Sequence, residues 1–351
     1  MSLVPHGDLI ELFQSIVDIE SVSGNERRLA DAIEQALRGL DHLDVIRDGD
    51  TLIARTELGR AQRVVIAGHL DTVPVAGNLP SRLIDGVVHG RGTVDMKGGI
   101  AVMLQVAALA TAPVRDITWI FYDHEEVAAV DNSLTRIAAT RPEALAGDLA
   151  VLMEPTSAQI EGGCQGTLRY VVTTSGKAAH SARSWRGHNA IHDMGEVLRR
   201  LEGYVPRVVE VEGLTYREGM NAVEIGGGIA GNVIPDRCSV TVNFRFAPDR
   251  DEADAVAHCR DLMTGHDIEV IDFALGARPG LDRPIAQEFL AAVGGTPVAK
   301  FGWTDVARFS ALGTPAVNYG PGDALKAHAD DEACPVNDLY VCREALLNWL
   351  G

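Results

Sequence analysis

Three passages place imidazole and carboxylate side chains directly after apolar runs. His69-Leu70-Asp71 follows RVVIAG (63–68), His124-Glu125-Glu126 follows ITWIFYD (117–123), and Glu154-Pro155 follows LAVLM (149–153). A further acid, Asp95, lies in the glycine-rich GRGTVDMKGG (90–99), where backbone can approach closely. A late histidine, His328, lies in KAHADDE (326–332) and could return to the same edge. Imidazole with several carboxylates is a donor set for zinc or a similar divalent ion. A hydrolase holding two ions about 3.5–4 Å apart needs one carboxylate to bridge them, with a further His and a further carboxylate for each. The inventory meets that need: Asp95 as the bridge, His69 and Glu154 on one ion, Glu126 and His328 on the other. Asp71, two residues after His69, is placed to accept the ring's second N–H. Glu125 is left over, and an unligated carboxylate beside such a centre suits a general base.

Each fragment alone has a plainer reading. His-x-Asp reads as a surface loop, adjacent glutamates as a solvated face, and Asp95 as a helix N-cap. Their coincidence at strand ends points to chemistry, because open α/β sheets form ligand sites outside the carboxyl ends of their strands. The elements required are legible. DLIELFQSIVDIE (8–20) has helical spacing, and Ser23 with Glu26 reads as a capping box for a helix to about Leu40. Residues 44–56 read as a hairpin around Asp48-Gly49. The apolar runs 63–68, 117–123 and 149–153 read as buried parallel strands, with a helix over 96–111 between the first two.

From Gly166 the rhythm changes to strand 167–174, helix 189–201, strands 222–230 and 238–246, helix 251–263 and strand 268–275. That order is the βαββαβ, ferredoxin-like unit. After Gly280 a helix (284–293), short strands (297–302 and 315–319) and a closing helix (337–350) restore the first pattern. The expectation is an α/β catalytic domain with a mostly parallel sheet over 1–165 and 277–351, interrupted by an inserted domain over 166–276.

Composition narrows the class. With 31 Lys and Arg against 49 Asp and Glu, the net charge of −18 leaves no cationic footprint for nucleic acid or an anionic membrane. The most apolar window, 98–114, is shorter than the about 20 residues of a membrane span and contains Gln105. The acidic start of the chain does not read as a signal peptide. Five scattered cysteines without a CxxC pair fit reduced thiols, so the expected location is the cytoplasm.

GHLDTVP (68–74), GRGTVDMKGG (90–99), the Glu125-Glu126 pair, MEPT (153–156) and His328 together resemble the dinuclear zinc aminoacylase and carboxypeptidase family, over nearly the whole chain. YDHEEVAA (122–129), GKAAHSAR (176–183), GNVIPDRCSVTVNFR (231–245) and GWTDVARF (302–309) are most similar to its actinobacterial succinyl-diaminopimelate desuccinylase branch, although Val127 stands where glycine is common. The resemblance implies a zinc-peptidase-like catalytic domain whose inserted domain is a lid that also dimerises. It implies the metal roles above, two divalent ions (zinc first, cobalt as the alternative), Asp71 orienting His69, and Glu125 as base. It also implies that His180 reaches the partner subunit's site to stabilise an oxyanion, that Arg245 binds a substrate carboxylate, and that Asn232 helps orient that group. On residue type alone these three read as a loop histidine, a surface ion pair and a turn asparagine. The implied reaction is hydrolysis of the amide in N-succinyl-LL-2,6-diaminopimelate, a small N-acyl amino acid. Acetylornithine deacetylase or a related N-acyl amino acid hydrolase would use the same metal residues, whereas a non-catalytic metal-binding relative would have no need of Glu125.

Overall fold

The computed structural model describes residues 3–351, and the chain divides into two units. Of the described residues, those at 3–163, 279–298 and 308–351 cluster as one; residues 164–278 and 299–307 cluster as the other.

In the first unit, strands Arg63–His69, Asp116–Tyr122 and Leu149–Leu152 sit side by side and parallel at the centre of an eight-stranded sheet. Ala316–Asn318 adds a further parallel strand beside Leu149–Leu152. Their apolar runs are unbroken because both sheet faces are covered: every residue of Asp116–Tyr122 and of Leu149–Leu152 is buried. The hairpin Asp44–Asp48/Thr51–Arg55 extends the sheet antiparallel to Asp116–Tyr122. Helix Lys97–Leu109 is buried from Lys97 to Ala108, so it is apolar all round rather than striped. Gly99 lets its first turn press on the chain beside Glu154, since a Cβ there would stand 2.4 Å from the Met153 carbonyl oxygen.

Two local expectations need correction. Helix Arg27–Arg38 starts after Glu26 with no side-chain cap bond, so Ser23 and Glu26 form no capping box. Met96, not Asp95, is the N-cap of Lys97–Leu109, which removes the capping reading of Asp95. A small sheet of Arg82–Ile84, Val87–His89 and Ala333–Pro335 was not anticipated; strands of three residues carry no readable period. It draws the late chain around His328 back towards the Asp95 loop.

The second unit is an antiparallel sheet in the order Gly219–Gly227, Arg237–Phe246, Gly166–Ser175, Ile268–Ala274. Helices Ala190–Glu202 and Glu252–Leu262 cover one face, packing Met194, Val197, Ala255 and Cys259 on Leu168, Tyr170, Val240, Val242 and Phe244. This is the ferredoxin-like order, with an added hairpin at Val208–Val211/Leu214–Arg217. Among the described residues no helix is long and apolar enough to cross a membrane.

Candidate metal centre

The three central strands end at one edge of the sheet and deliver the acids and histidines there. His69 closes its strand and is 1% exposed. Its Nδ1 lies 3.0 Å from the Asp71 carbonyl oxygen and 3.6 Å from the Asp71 carboxylate. Its Nε2 faces the Asp95 carboxylate at 3.0 Å. The other oxygen of Asp95 lies 3.3 Å from His328 Nε2, which is itself 2.9 Å from Glu126. Ligand atoms of His69, Asp95 and Glu126 all lie within 4.8 Å of one another, and His328 joins through the last two. Glu154 is buried just beyond Leu149–Leu152. The parallel register pairs Ala67 with Leu152, and Met153 N–H donates to the Ala67 carbonyl, so Glu154 leaves the sheet from the strand adjacent to His69.

Asp71 does more than the sequence indicates. Its fully buried carboxylate accepts from the backbone N–H of Glu125 at 3.0 Å, from that of Glu126 at 2.9 Å, and from the Ser23 hydroxyl at 2.7 Å. One residue therefore steadies both the His69 ring, through its carbonyl, and the turn that carries the glutamate pair, through its carboxylate. Ser23 was missed because its residue type fits a local cap, while its partner lies 48 positions away. His124 and His328 both adopt left-handed backbone (φ 62° and 63°), a conformation that non-glycine residues hold only where the surroundings enforce it.

The electrostatics fit a cation. Burial works against protonating His69, but hydrogen bonds to Asp71 and Asp95 outweigh it and hold the ring well above the usual histidine range. Hydrogen bonds to Asp95 and Glu126 raise His328 to about 10. Burial pushes Asp71 up, yet His69 and the two backbone N–H groups bring it down to about 2. Imidazoles and carboxylates converge here with excess negative charge, and oxygen and nitrogen donors at this spacing can close around one divalent ion at about 2.0–2.2 Å from each. With His69 Nδ1 donating to the Asp71 carbonyl, Nε2 keeps its lone pair for that ion.

Comparison with known proteins matches residues 65–350 to the peptidase family M20/M25/M40. The chain belongs to that family. It is 49% identical over 356 residues to the succinyl-diaminopimelate desuccinylase of Corynebacterium glutamicum, covering 98% of this chain and 96% of that one. It is 52% identical to a Mycobacterium tuberculosis protein that carries the desuccinylase name DapE, over 98% of both chains. A desuccinylase of Caulobacter sp. is only 29% identical, over 95% of this chain and 92% of that protein. Among solved structures, a Staphylococcus aureus tripeptidase superposes with TM-score 0.80 at 22% identity, covering 97% and 96% of the two chains. The Bacillus subtilis YXEP protein, described as a dinuclear metal binding peptidase of the M20 family, superposes with TM-score 0.74 at 16% identity, covering 98% and 97%. These two establish the fold.

Within this M20 chain, His180 and Asn232 meet in the second unit. The Ser181 N–H donates to the Asn232 carbonyl at 2.9 Å, and His180 bridges to Val233. The exposed His180 ring caps the short helix Ser181–Arg186 by accepting from Ala182 N–H. Arg245 sits elsewhere, on the helix-free face of the sheet opposite Thr167, where burial and the neighbouring Arg169 charge pull its pKa down. It lies at the far end of Arg237–Phe246 from the Asn232 loop, eight residues and about 26 Å along the strand. Within one chain, Asn232 and Arg245 cannot grip the same carboxylate, a separation that residue types could not disclose.

Proposed function

We propose that the protein is a metal-dependent succinyl-diaminopimelate desuccinylase, hydrolysing N-succinyl-LL-2,6-diaminopimelate to succinate and LL-2,6-diaminopimelate in diaminopimelate and lysine biosynthesis. The observation that carries this reading is the near-full-length identity of 49–52% to desuccinylases in a chain that brings ligand atoms of His69, Asp95 and Glu126 within 4.8 Å of one another at the sheet edge. Two divalent ions, zinc in the first instance and cobalt as the alternative, would be held by His69 and Glu154 on one side and Glu126 and His328 on the other, with Asp95 between them. When bound, the ions supply the Lewis acidity that polarises the amide carbonyl and acidifies water.

The chain's own residues do the rest. Glu125 takes a proton from the attacking water and returns it to the leaving amine. Asp71 keeps Glu125 in place through its backbone N–H while fixing the tautomer of His69. Arg245 offers a guanidinium fork to a substrate carboxylate. A panel of N-succinyl and N-acetyl amino acids tests the reading. The expected result is that N-succinyl-LL-2,6-diaminopimelate has the highest kcat/KM; a higher value for N-acetylornithine would make the protein a deacetylase with the same metal residues. Five unpaired, buried cysteines support a reducing compartment, the cytoplasm.

We also propose a homodimer through the second unit. The edge strand Gly219–Gly227 exposes Val223 (58%) and Ile225 (53%), with Ile229 (85%) and Ile191 (41%) beside it. A long apolar sheet edge of this kind is a template for pairing with a second chain. A dimer would let His180 and Asn232 of one protomer serve a substrate held by Arg245 of the other. A mixed dimer of His180→Ala and Glu125→Gln is then expected to regain activity at one of its two sites, because that site combines intact copies of both residues. An oxyanion donor is worth roughly 10²–10³ in turnover, so the mixture should stand well above either parent. Equal, low activity after subunit exchange would place His180 in its own chain's site or in none.

A further inference from the structure

Glu332 closes the acidic run Asp330-Asp331-Glu332, yet it is 1% exposed. Its carboxylate faces the backbone of the Asp95 loop. Oε1 accepts from Val94 N–H at 2.8 Å and from Asp95 N–H at 3.1 Å, and Oε2 accepts from Gly92 N–H at 2.9 Å. Oε2 also accepts from the guanidinium of Arg91 at 2.9 Å, and Arg91 is itself 3% exposed. Arg91 donates onward to the carbonyl of Ala329, the residue after His328, at 3.2 Å. Its Nε donates to the carbonyl of Pro74, in the loop that follows His69 and Asp71, at 3.1 Å. A main-chain bond from Gly90 N–H to the Glu332 carbonyl closes the assembly at 3.1 Å.

Two buried side chains, neither among the metal-ligand candidates, thus tie together the loops that carry Asp95 and His328 and the loop that follows His69. A buried ion pair is a weak device for stability, since its desolvation cost offsets much of the attraction. It is a strong device for geometry, because removing either partner strands the other.

We propose that Glu332 and Arg91 are positioning residues that lock the Asp95 loop to the His328 loop and to the loop after His69, and so set the spacing of the two metal positions. This rests on the ligand roles proposed above. Loss of a partner behind the ligands typically costs about 10–100-fold in metal affinity or activity, and a misplacement of about 1 Å at a reacting centre can cost roughly 10²-fold.

The test is Glu332→Gln in the full chain, stripped of metal by chelation and titrated with zinc and with cobalt. The variant keeps the shape but turns an amide NH₂ towards donors that now meet an acceptor. The expected result is metal affinity weaker by about 10–100-fold, an altered visible spectrum of the cobalt-loaded protein, and kcat lowered with KM little changed. A wild-type affinity and cobalt spectrum, accompanied only by a lower melting temperature of the metal-free protein, would overturn the proposal. If Glu332→Gln does not fold, Arg91→Lys carries the same test: it keeps the charge but loses the fork to Glu332, Ala329 and Pro74, and wild-type affinity and spectrum would again overturn it. Failure of the ligand roles themselves is seen separately, as His69→Ala binding metal as tightly as the unaltered chain.

Discussion

Asp95→Ala is expected to lose both metal equivalents on dialysis and, with them, all measurable turnover. Its carboxylate faces both histidines, His69 at 3.0 Å and His328 at 3.3 Å. Those hydrogen bonds outweigh burial and hold its pKa far below the ordinary aspartate range, the response of a carboxylate surrounded by positive charge. A bridging ligand contributes to two ions at once, whereas in the proposed arrangement Glu154→Ala or His328→Ala would remove a ligand from one. Metal analysis of the three variants after identical dialysis is the check. Asp95→Ala retaining one tightly held equivalent would mean that Asp95 serves a single ion.

Glu125→Gln is expected to keep the fold and the metal while losing turnover by about 10³–10⁴-fold. General base assistance is typically worth about 10²–10⁴, and the loss is expected towards the upper end because in the proposed mechanism the same carboxylate would handle the proton in both halves of the reaction. The substitution preserves the backbone N–H that Asp71 holds at 3.0 Å, so the neighbouring Glu126 keeps its place. Wild-type metal content with less than a tenfold fall in kcat would show that another group carries the proton.

The features of the fold and site legible in the sequence share a physical cause. The central strands are buried on both faces, so they read as unbroken apolar runs, and the residues directly after them had to emerge at one sheet edge. His69, Asp71, Glu125, Glu126 and Glu154 could be singled out for that reason alone. Asp95 was legible from its glycines, which the structure explains at Gly99 by the close approach to Met153. What escaped lies in long-range partnership. Ser23 has the residue type of a helix cap and bonds to Asp71 instead. Glu332 has the look of a solvated acid, and nothing local marks it as buried against the Asp95 loop. The strands Arg82–Ile84, Val87–His89 and Ala333–Pro335 are too short to show a period, although they bring the late chain back to the metal loops. The distance between Asn232 and Arg245 depends on which end of a strand each occupies, and spacing in the chain does not separate a neighbour from a residue one strand-length away.

The proposed function requires that the acids and histidines at the sheet edge hold metal for desuccinylation. It is tested most directly by measuring succinate released from N-succinyl-LL-2,6-diaminopimelate as metal-stripped protein is titrated with zinc. The expected result is no release from the stripped protein, release that rises with bound zinc to a plateau at two equivalents, and no recovery at any zinc concentration in Asp95→Ala. Two equivalents bound by the unaltered chain with no succinate released would contradict it, as would undiminished release from the protein without metal.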